Sequence, residues 1–210
     1  MKFAEYIDFK DCRRAADIGT GTGLLAILAA KKGATEVKAT DISPLAVRLA
    51  DLNARMANAI DVIETRQGHF FCDYEGTFDV ITANLPQEII PPAYGSSIST
   101  LQSQAIDGGG TGGNTILLDF LEVAPKYMHP HTRLYVIVNT ITDYKQTLQK
   151  ISTSYEATLV WQGITSVKAF VSENIGFFGG LIDRRIVDLV EDEAGNWHAH
   201  QFIYQLTLPP

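Results

Sequence analysis

The sequence predicts an α/β fold built on a doubly wound, mostly parallel sheet that ends in an antiparallel hairpin. Short apolar, strand-like segments alternate with segments of helical periodicity over most of the chain. A glycine-rich turn joins the first of these strands to the first helix, as in parallel sheets that bind nucleotides. Near the C-terminus, two strand-like segments flank a polar turn, which is typical of a hairpin.

The individual elements follow from these patterns. Strands are predicted at residues 14–18, 37–40, 62–66, 78–83, 133–139 and 157–161, and helices at 23–32, 44–58, 114–127 and 143–153. Gly33 is expected to end the first helix, and Ser43-Pro44 to begin the second. Residues 185–190 and 198–208 form the predicted hairpin. The glycine-rich, apolar residues 174–181 leave two alternatives open, a mobile loop over a site or a contact surface.

The bulk composition is that of an ordinary globular protein. The 210 residues are 46% hydrophobic and 20% charged, and this length and composition predict one domain over 1–210. Within it we expect a cofactor-binding core at 14–140. C-terminal strands follow at 141–210, with an insertion at about 168–184. A net charge of −7 argues against electrostatic binding of nucleic acid over an extended surface. We find no signal peptide and no membrane-length apolar run, so we expect a cytoplasmic protein. No metal site is predicted, because Cys12 and Cys72 lack ligand spacing and the His198/His200 pair lacks a third ligand.

The strongest local signal is the segment Asp-Ile-Gly-Thr-Gly-Thr-Gly at residues 17–23. Glycines at such a turn let the main chain bend tightly and approach a ligand closely, and the helix that follows offers unpaired N–H groups. The spacing is not that of the dinucleotide fingerprint, whose third glycine would fall at position 24, which is Leu24. The pattern is G-x-G-x-G, preceded by an acid and followed by Asp41 after the second strand.

This arrangement resembles motif I and the following acid of class I S-adenosylmethionine-dependent methyltransferases. The resemblance implies a Rossmann-like, seven-stranded sheet and S-adenosyl-L-methionine as the cofactor. It places Gly19 and Gly21 beside the methionine part, Asp41 on both ribose hydroxyls and Asp17 near the ammonium group. The cofactor-binding residues predicted in this way are Asp17, Gly19, Thr20, Gly21, Gly23, Asp41, Ile42, His69, Phe70 and Asn84.

Adenine recognition departs from the family pattern. An acid after the third strand usually meets the adenine amino group, but His69 stands there in this chain. Phe70 can supply the expected ring contact. Asp73 is a candidate substitute for the acid.

A second resemblance concerns the methyl acceptor. Asn84-Leu85-Pro86-Gln87 is similar to the Asn-Pro-Pro-Tyr motif of amino-methyltransferases, which act on planar nitrogens. The resemblance implies catalytic roles for these four residues, with the Asn84 side chain and the next main-chain carbonyl holding the acceptor's N–H groups. Gln87 replaces the aromatic residue that stacks on the acceptor. A similar Pro-Gln ending occurs in plant enzymes that methylate the sulfur of methionine.

A third segment, Ala105 to Gly112, resembles the A-x-D-G-G-x-x-G segment of the glutamine-N5 methyltransferases that modify release factors. We therefore predict an enzyme that methylates a planar nitrogen such as a protein glutamine amide. The alternatives are a small-molecule S-, O- or N-methyltransferase and a non-catalytic module. Only 16 residues precede Asp17, so acceptor choice falls to residues 88–111, to the C-terminal insertion or to a partner protein, unless the chain is one piece of a longer protein.

Overall fold

The structure is a computed structural model that describes residues 2–96, 98–99, 102 and 105–210. Its centre is a sheet of eight strands. These are β1 (Arg14–Ile18), β2 (Glu36–Asp41), β3 (Ile63–Gln67), β4 (Phe78–Ala83), β5 (Met128–Asn139), β6 (Glu156–Ser166), β7 (Leu189–Glu191) and β8 (Trp197–Thr207). The predicted α/β fold class is confirmed, and the seven principal strands are joined by the short β7, which pairs with β8.

Helices connect the strands. They are α1 (Lys2–Glu5), α2 (Leu24–Lys31), α3 (Pro44–Met56), α4 (Pro92–Gly95), α5 (Thr115–Val123), α6 (Tyr144–Ser154), α7 (Ala169–Glu173) and α8 (Ile175–Asp183), with a 3₁₀ turn at Ala124–Tyr127. Ser43 caps α3 as predicted, since its hydroxyl accepts from the main-chain N–H of Ala46. None of the helices in the described ranges has the length and apolarity that a membrane crossing requires.

The strand order is β3-β2-β1-β4-β5-β8-β6, with β1 to β5 parallel and β8 antiparallel to both of its long neighbours. The chain winds outward from β1 in one direction and then returns to β4 on the other side. In sheets of this kind a crevice opens at the carboxyl ends of the strands where the order reverses. The glycine turn after β1 (residues 19–23) and the segment after β4 (residues 84–87, called the Asn84 segment below) both lie at that reversal.

Residues 175–181 are helical, so the first of the two alternatives for residues 174–181, a loop, was wrong. They fall within α8, whose Phe178 and Leu181 are buried against Phe170 and Val171 of α7. Glycine has a low helix propensity, but burial of an apolar face outweighs a cost of about 1 kcal/mol per glycine. The three glycines of α8 lie where an added Cβ would meet open space.

The hairpin prediction is confirmed, although its first strand is limited to Leu189–Glu191. His198 lies in this hairpin, with Nε2 at 2.9 Å from a carboxylate oxygen of Asp192. The described residues hold no group of three or more His, Cys, Asp or Glu side chains placed to bind a metal.

Asp79 joins the start of β1 to β4 and β5 at the edge of the sheet opposite the crevice. Its Oδ2 accepts hydrogen bonds from the main-chain N–H groups of Arg13 at 2.9 Å and Arg14 at 2.8 Å. Its Oδ1 lies 3.1 Å from Nε2 of His129. Partial burial alone would raise the pKa of Asp79, but these hydrogen bonds hold it below the ordinary value.

We expect Asp79 to stabilise the fold in a pH-dependent way. Because its folded-state pKa is lowered, its contribution is present above the unfolded-state pKa of about 3.9 and is lost as the pH falls through the folded-state value. The difference in unfolding free energy between the wild type and Asp79→Ala should therefore be constant above about pH 5 and shrink below about pH 4. Urea unfolding at a series of pH values measures it. A difference that did not change with pH would contradict this role.

Candidate active site

The crevice at the carboxyl ends of β1, β2 and β4 is a cleft of about 690 Å³. This volume is within the range of small-molecule and cofactor sites. The predicted site residues that line it are Asp17, Gly19, Thr20, Gly21, Asp41, Ile42, His69, Phe70, Asn84, Leu85, Pro86 and Gln87. Gly23 lies outside the lining, where it precedes α2, and an added Cβ there would come within 3.0 Å of the Ala50 main chain. Its role is to let α2 approach α3.

The glycine turn has the conformation that its sequence requires. Gly19, Gly21 and Gly23 have φ values of 68°, 55° and 79°, a region that side chains other than glycine rarely adopt. A Cβ on Gly19 would lie 2.8 Å from Cδ2 of Leu85, whereas a Cβ on Gly21 would meet open space. The turn therefore packs against the Asn84 segment on one side and leaves room for a ligand on the other.

Asp17 is buried beneath this turn and organises it. Its carboxylate accepts hydrogen bonds from the hydroxyls of Thr20 at 2.6 Å and Thr82 at 2.7 Å, and from the main-chain N–H of Ala26 at 3.1 Å. Burial raises the pKa of Asp17, and these three hydrogen bonds oppose that effect. Asp17 thus ties the turn to α2 and to β4 at the floor of the cleft.

Asp41 stands at the end of β2, directly beside the turn. Its Oδ2 accepts from the main-chain N–H of Gly21 at 2.9 Å, and its Oδ1 accepts from that of Ser43 at 2.9 Å. A carboxylate has about four acceptor positions, so two remain for other donors. Asp41 is only partly buried and lines the cleft. The structure thus brings together the acid and the glycine bend that the sequence pairs.

His69 and Phe70 form an aromatic wall at one end of the cleft. Their ring centroids lie 3.8 Å apart with an interplanar angle of 44°. Phe70 has a φ of 48° and is held there because its carbonyl accepts a hydrogen bond from the Thr40 hydroxyl. Asp73 lies outside the lining residues, so its candidacy as a substitute acid is not supported.

The Asn84 segment forms the opposite end of the cleft. Asn84 is exposed, whereas the Leu85 side chain is buried against Gly19. Gln87 is 93% buried, since its relative exposure is 7%, and its Nε2 donates to the main-chain oxygen of Ile137 at 2.8 Å. The Gln87 side chain therefore fastens this segment to β5 in place of presenting a flat aromatic face.

The Ala105–Gly112 segment packs directly on the Asn84 segment. Glu88 pairs with Asp107 in a parallel bridge, and the N–H of Gly108 donates to the Glu88 carbonyl at 3.0 Å. A Cβ on Gly108 would lie 1.8 Å from the main-chain oxygen of Gly113 and 3.0 Å from Cα of Gln87. This close approach is the physical reason for a glycine at position 108.

Four further residues with polar side chains line the same cleft, and they are Glu88, Asn139, Lys168 and Gln201. Glu88 and Lys168 are included in the sequence analysis only as members of the segments 88–111 and about 168–184, to which acceptor choice is assigned, and Asn139 and Gln201 were missed. Lys168 immediately precedes α7 and reaches Glu88 across the cleft, with its Nζ 2.7 Å from Oε1. Only the packed structure reveals this pair.

Known proteins match both the sequence and the fold. The family model described as "Ribosomal protein L11 methyltransferase (PrmA)" matches residues 3–106. A "Putative protein N5-glutamine methyltransferase" of Methanocaldococcus jannaschii is 34% identical over 145 residues, which are 69% of this chain and 71% of that protein. The chain belongs to the S-adenosylmethionine-dependent methyltransferases. As a member of that family it is an enzyme, as predicted.

One further relative matches a short part of this chain, and one solved structure superposes on nearly all of it. A ribosomal protein L11 methyltransferase of Bacillus cereus is 46% identical to this methyltransferase over 74 residues, which are 35% of this chain and only 24% of that protein. The crystal structure of the ribosomal protein L11 methylase from Lactobacillus delbrueckii subsp. bulgaricus superposes with a TM-score of 0.56 at 22% identity, over 96% of this chain and 74% of that one. The latter shows a shared fold, and it confirms the predicted Rossmann-like sheet.

Proposed function

We propose that this methyltransferase binds S-adenosyl-L-methionine in the cleft and transfers its methyl group to a planar amide nitrogen, such as that of a glutamine side chain. The observation that carries the proposal is the shared cleft of the glycine turn, Asp41 and Asn84. The Methanocaldococcus relative is described as a "Putative protein N5-glutamine methyltransferase", which supports the same acceptor chemistry.

The residues of the cleft fit this cofactor. The open space beside Gly21 allows a ligand to approach the main chain, and Asp41 retains acceptor positions for the two hydroxyls of a ribose. The His69–Phe70 wall offers ring surface to an adenine. Asp17 lies beneath the turn and lines the cleft, and its carboxyl group would lie near the ammonium group of the methionine part. When bound, the cofactor supplies a methyl group on a positively charged sulfur.

At the opposite end of the cleft, residues 84–87 would hold the nitrogen of the methyl acceptor in line with the methyl group of the cofactor. The Asn84 side-chain oxygen and the Leu85 main-chain carbonyl are acceptors for the two N–H groups of a carboxamide. A main-chain carbonyl does not depend on the side chain, so leucine serves where the family has proline. Gln87 keeps the segment in place through Ile137. Positioning of this kind can contribute several kcal/mol to a displacement reaction.

The second candidate is a methyltransferase for a small polar molecule. The lack of an aromatic ring at Gln87 favours it, because the acceptor then loses a stacking contact that is worth about 0.5–1.5 kcal/mol. Under either candidate we propose a cytoplasmic enzyme without a nucleic-acid or membrane partner, whose acceptor choice is assisted by a partner protein.

Incubation of the protein with a cell extract and cofactor carrying a tritiated methyl group tests the proposal. We expect label in protein, recovered after complete digestion with proteases as N-methylglutamine or a related N-methyl amide, and an initial rate of labelling at least about 100-fold lower with Asn84→Ala. Label only in small metabolites would favour the second candidate. No transfer by the wild type to any acceptor would contradict both.

A further inference from the structure

Glu88 is a largely buried acid in the part of the cleft where residues 84–87 are proposed to hold the methyl acceptor, which we call the acceptor end. Its side chain is only 15% exposed, and its Oε1 lies 2.7 Å from Nζ of Lys168. Its other oxygen, Oε2, is buried and has no hydrogen-bond partner among the residues that the structure describes. Burial raises the pKa of Glu88, and Lys168 opposes this effect. One oxygen of this carboxyl group is thus held by a cation, and the other is enclosed without a donor from the described part of the chain.

Gln87, its neighbour, also has an unpaired oxygen. Its Nε2 donates to the Ile137 carbonyl, which fixes the orientation of the amide, and its Oε1 is then buried with no partner in the described part of the chain. A buried oxygen without a donor is unfavourable. Two such oxygens on consecutive residues, both in the lining of the cleft, indicate a place where a donor is received from a ligand.

The charge around these oxygens restricts the kind of donor. Lys168 is the one lysine or arginine among the described lining residues, and it lies directly against Glu88. Its charge offsets that of the carboxylate. An ammonium group entering here would meet Lys168 at close range and gain little from Glu88, whereas a neutral amide N–H avoids this repulsion.

We propose that Glu88 and Gln87 are specificity-determining residues, which accept hydrogen bonds from N–H groups of the acceptor other than the two carboxamide N–H groups held by Asn84 and Leu85, and that, together with Lys168, they select a neutral carboxamide over an amine. This inference rests on the proposed function and narrows it to one acceptor class. It assigns to Lys168 the exclusion of cationic acceptors and to Glu88 the recognition of N–H groups.

Binding of three small probes tests the proposal without requiring turnover. Nα-acetylglutamine methylamide and its lysine and glutamate counterparts are titrated by NMR into the protein saturated with S-adenosylhomocysteine. The wild type should bind the glutamine probe at least about tenfold more tightly than the other two. Glu88→Ala should weaken binding of the glutamine probe by about 10–100-fold, since a hydrogen bond to a charged group is worth about 1.5–3 kcal/mol. Glu88→Gln keeps an acceptor oxygen, so its affinity for the glutamine probe should lie between those of the wild type and Glu88→Ala.

Lys168→Met separates charge from packing. It removes the ammonium but retains most of the apolar side chain, so the lysine probe should gain affinity and the glutamine probe should lose its advantage. Glu122→Ala is the control, because Glu122 also pairs with a lysine, Lys150, but lies outside the cleft. Its probe affinities should equal those of the wild type.

Equal binding of the glutamine probe by the wild type and Glu88→Ala would overturn the inference, as would a wild type that binds no glutamine probe or prefers the lysine probe. The proposed function fails separately. It fails if labelled methyl groups never reach nitrogen in the extract experiment, whatever the probes show.

Discussion

Asp41→Ala is expected to weaken binding of S-adenosylmethionine by at least about 100-fold. Two hydrogen bonds from ribose hydroxyls to a carboxylate are worth about 3–6 kcal/mol together, and the lower figure corresponds to more than 100-fold in affinity. The substitution also removes the acceptor for the N–H groups of Gly21 and Ser43, which should loosen the turn that lines the cleft. Both effects act in the same direction.

Isothermal titration calorimetry with the cofactor measures this loss. Asp51→Ala is a matched control, since Asp51 is an acid on the nearby α3 that pairs with Arg55 and does not line the cleft. Its affinity should stay within about twofold of the wild type, because a surface ion pair contributes about 0–1 kcal/mol. Circular dichroism confirms that both variants are folded. An Asp41→Ala affinity within about threefold of the wild type would mean that the ribose lies elsewhere.

The cofactor end of the site was predictable because its signals are local. The turn at 17–23 is specified by glycines that must adopt positive φ, and Asp41 ends a strand that pairs in register with β1. In a parallel sheet, adjacent strands end at the same edge, so an acid after β2 lies beside a turn after β1. No long-range information was needed to bring Asp41 to Gly21.

The acceptor end was less predictable because its contacts join distant parts of the chain. Lys168 lies against Glu88 at the start of a helical insertion formed by α7 and α8, and the glycine-rich part of this insertion left a loop and a contact surface open as alternatives. Helix formation there depends on burial of Phe178 and Leu181, a tertiary effect that outweighs local propensity. The inward orientation of Gln87 depends on a carbonyl of β5, which no short motif can specify.

Asn84→Ala is expected to lower kcat by about 100–1000-fold and to leave cofactor affinity nearly unchanged. Loss of one preorganised hydrogen-bonding group at a reacting centre has an effect of this size, and a misplacement of about 1 Å alone can cost about 100-fold. Asn84 stands at the carboxyl end of β4, whereas Gly19, Gly21 and Asp41, for which we propose contacts with the methionine part and the ribose, are held at the ends of β1 and β2. The two functions are therefore separable.

Single-turnover methyl transfer and calorimetry on the same preparations measure the two quantities. Asn84→Asp is the informative companion, since it keeps an acceptor oxygen of the same size but adds a charge and removes the side-chain N–H donors. If Asn84 acts by accepting an N–H of the acceptor, Asn84→Asp should retain more activity than Asn84→Ala. If both variants lost cofactor binding in parallel with turnover, Asn84 would be part of the cofactor pocket, and the nitrogen would have to be positioned by other residues at this end of the cleft.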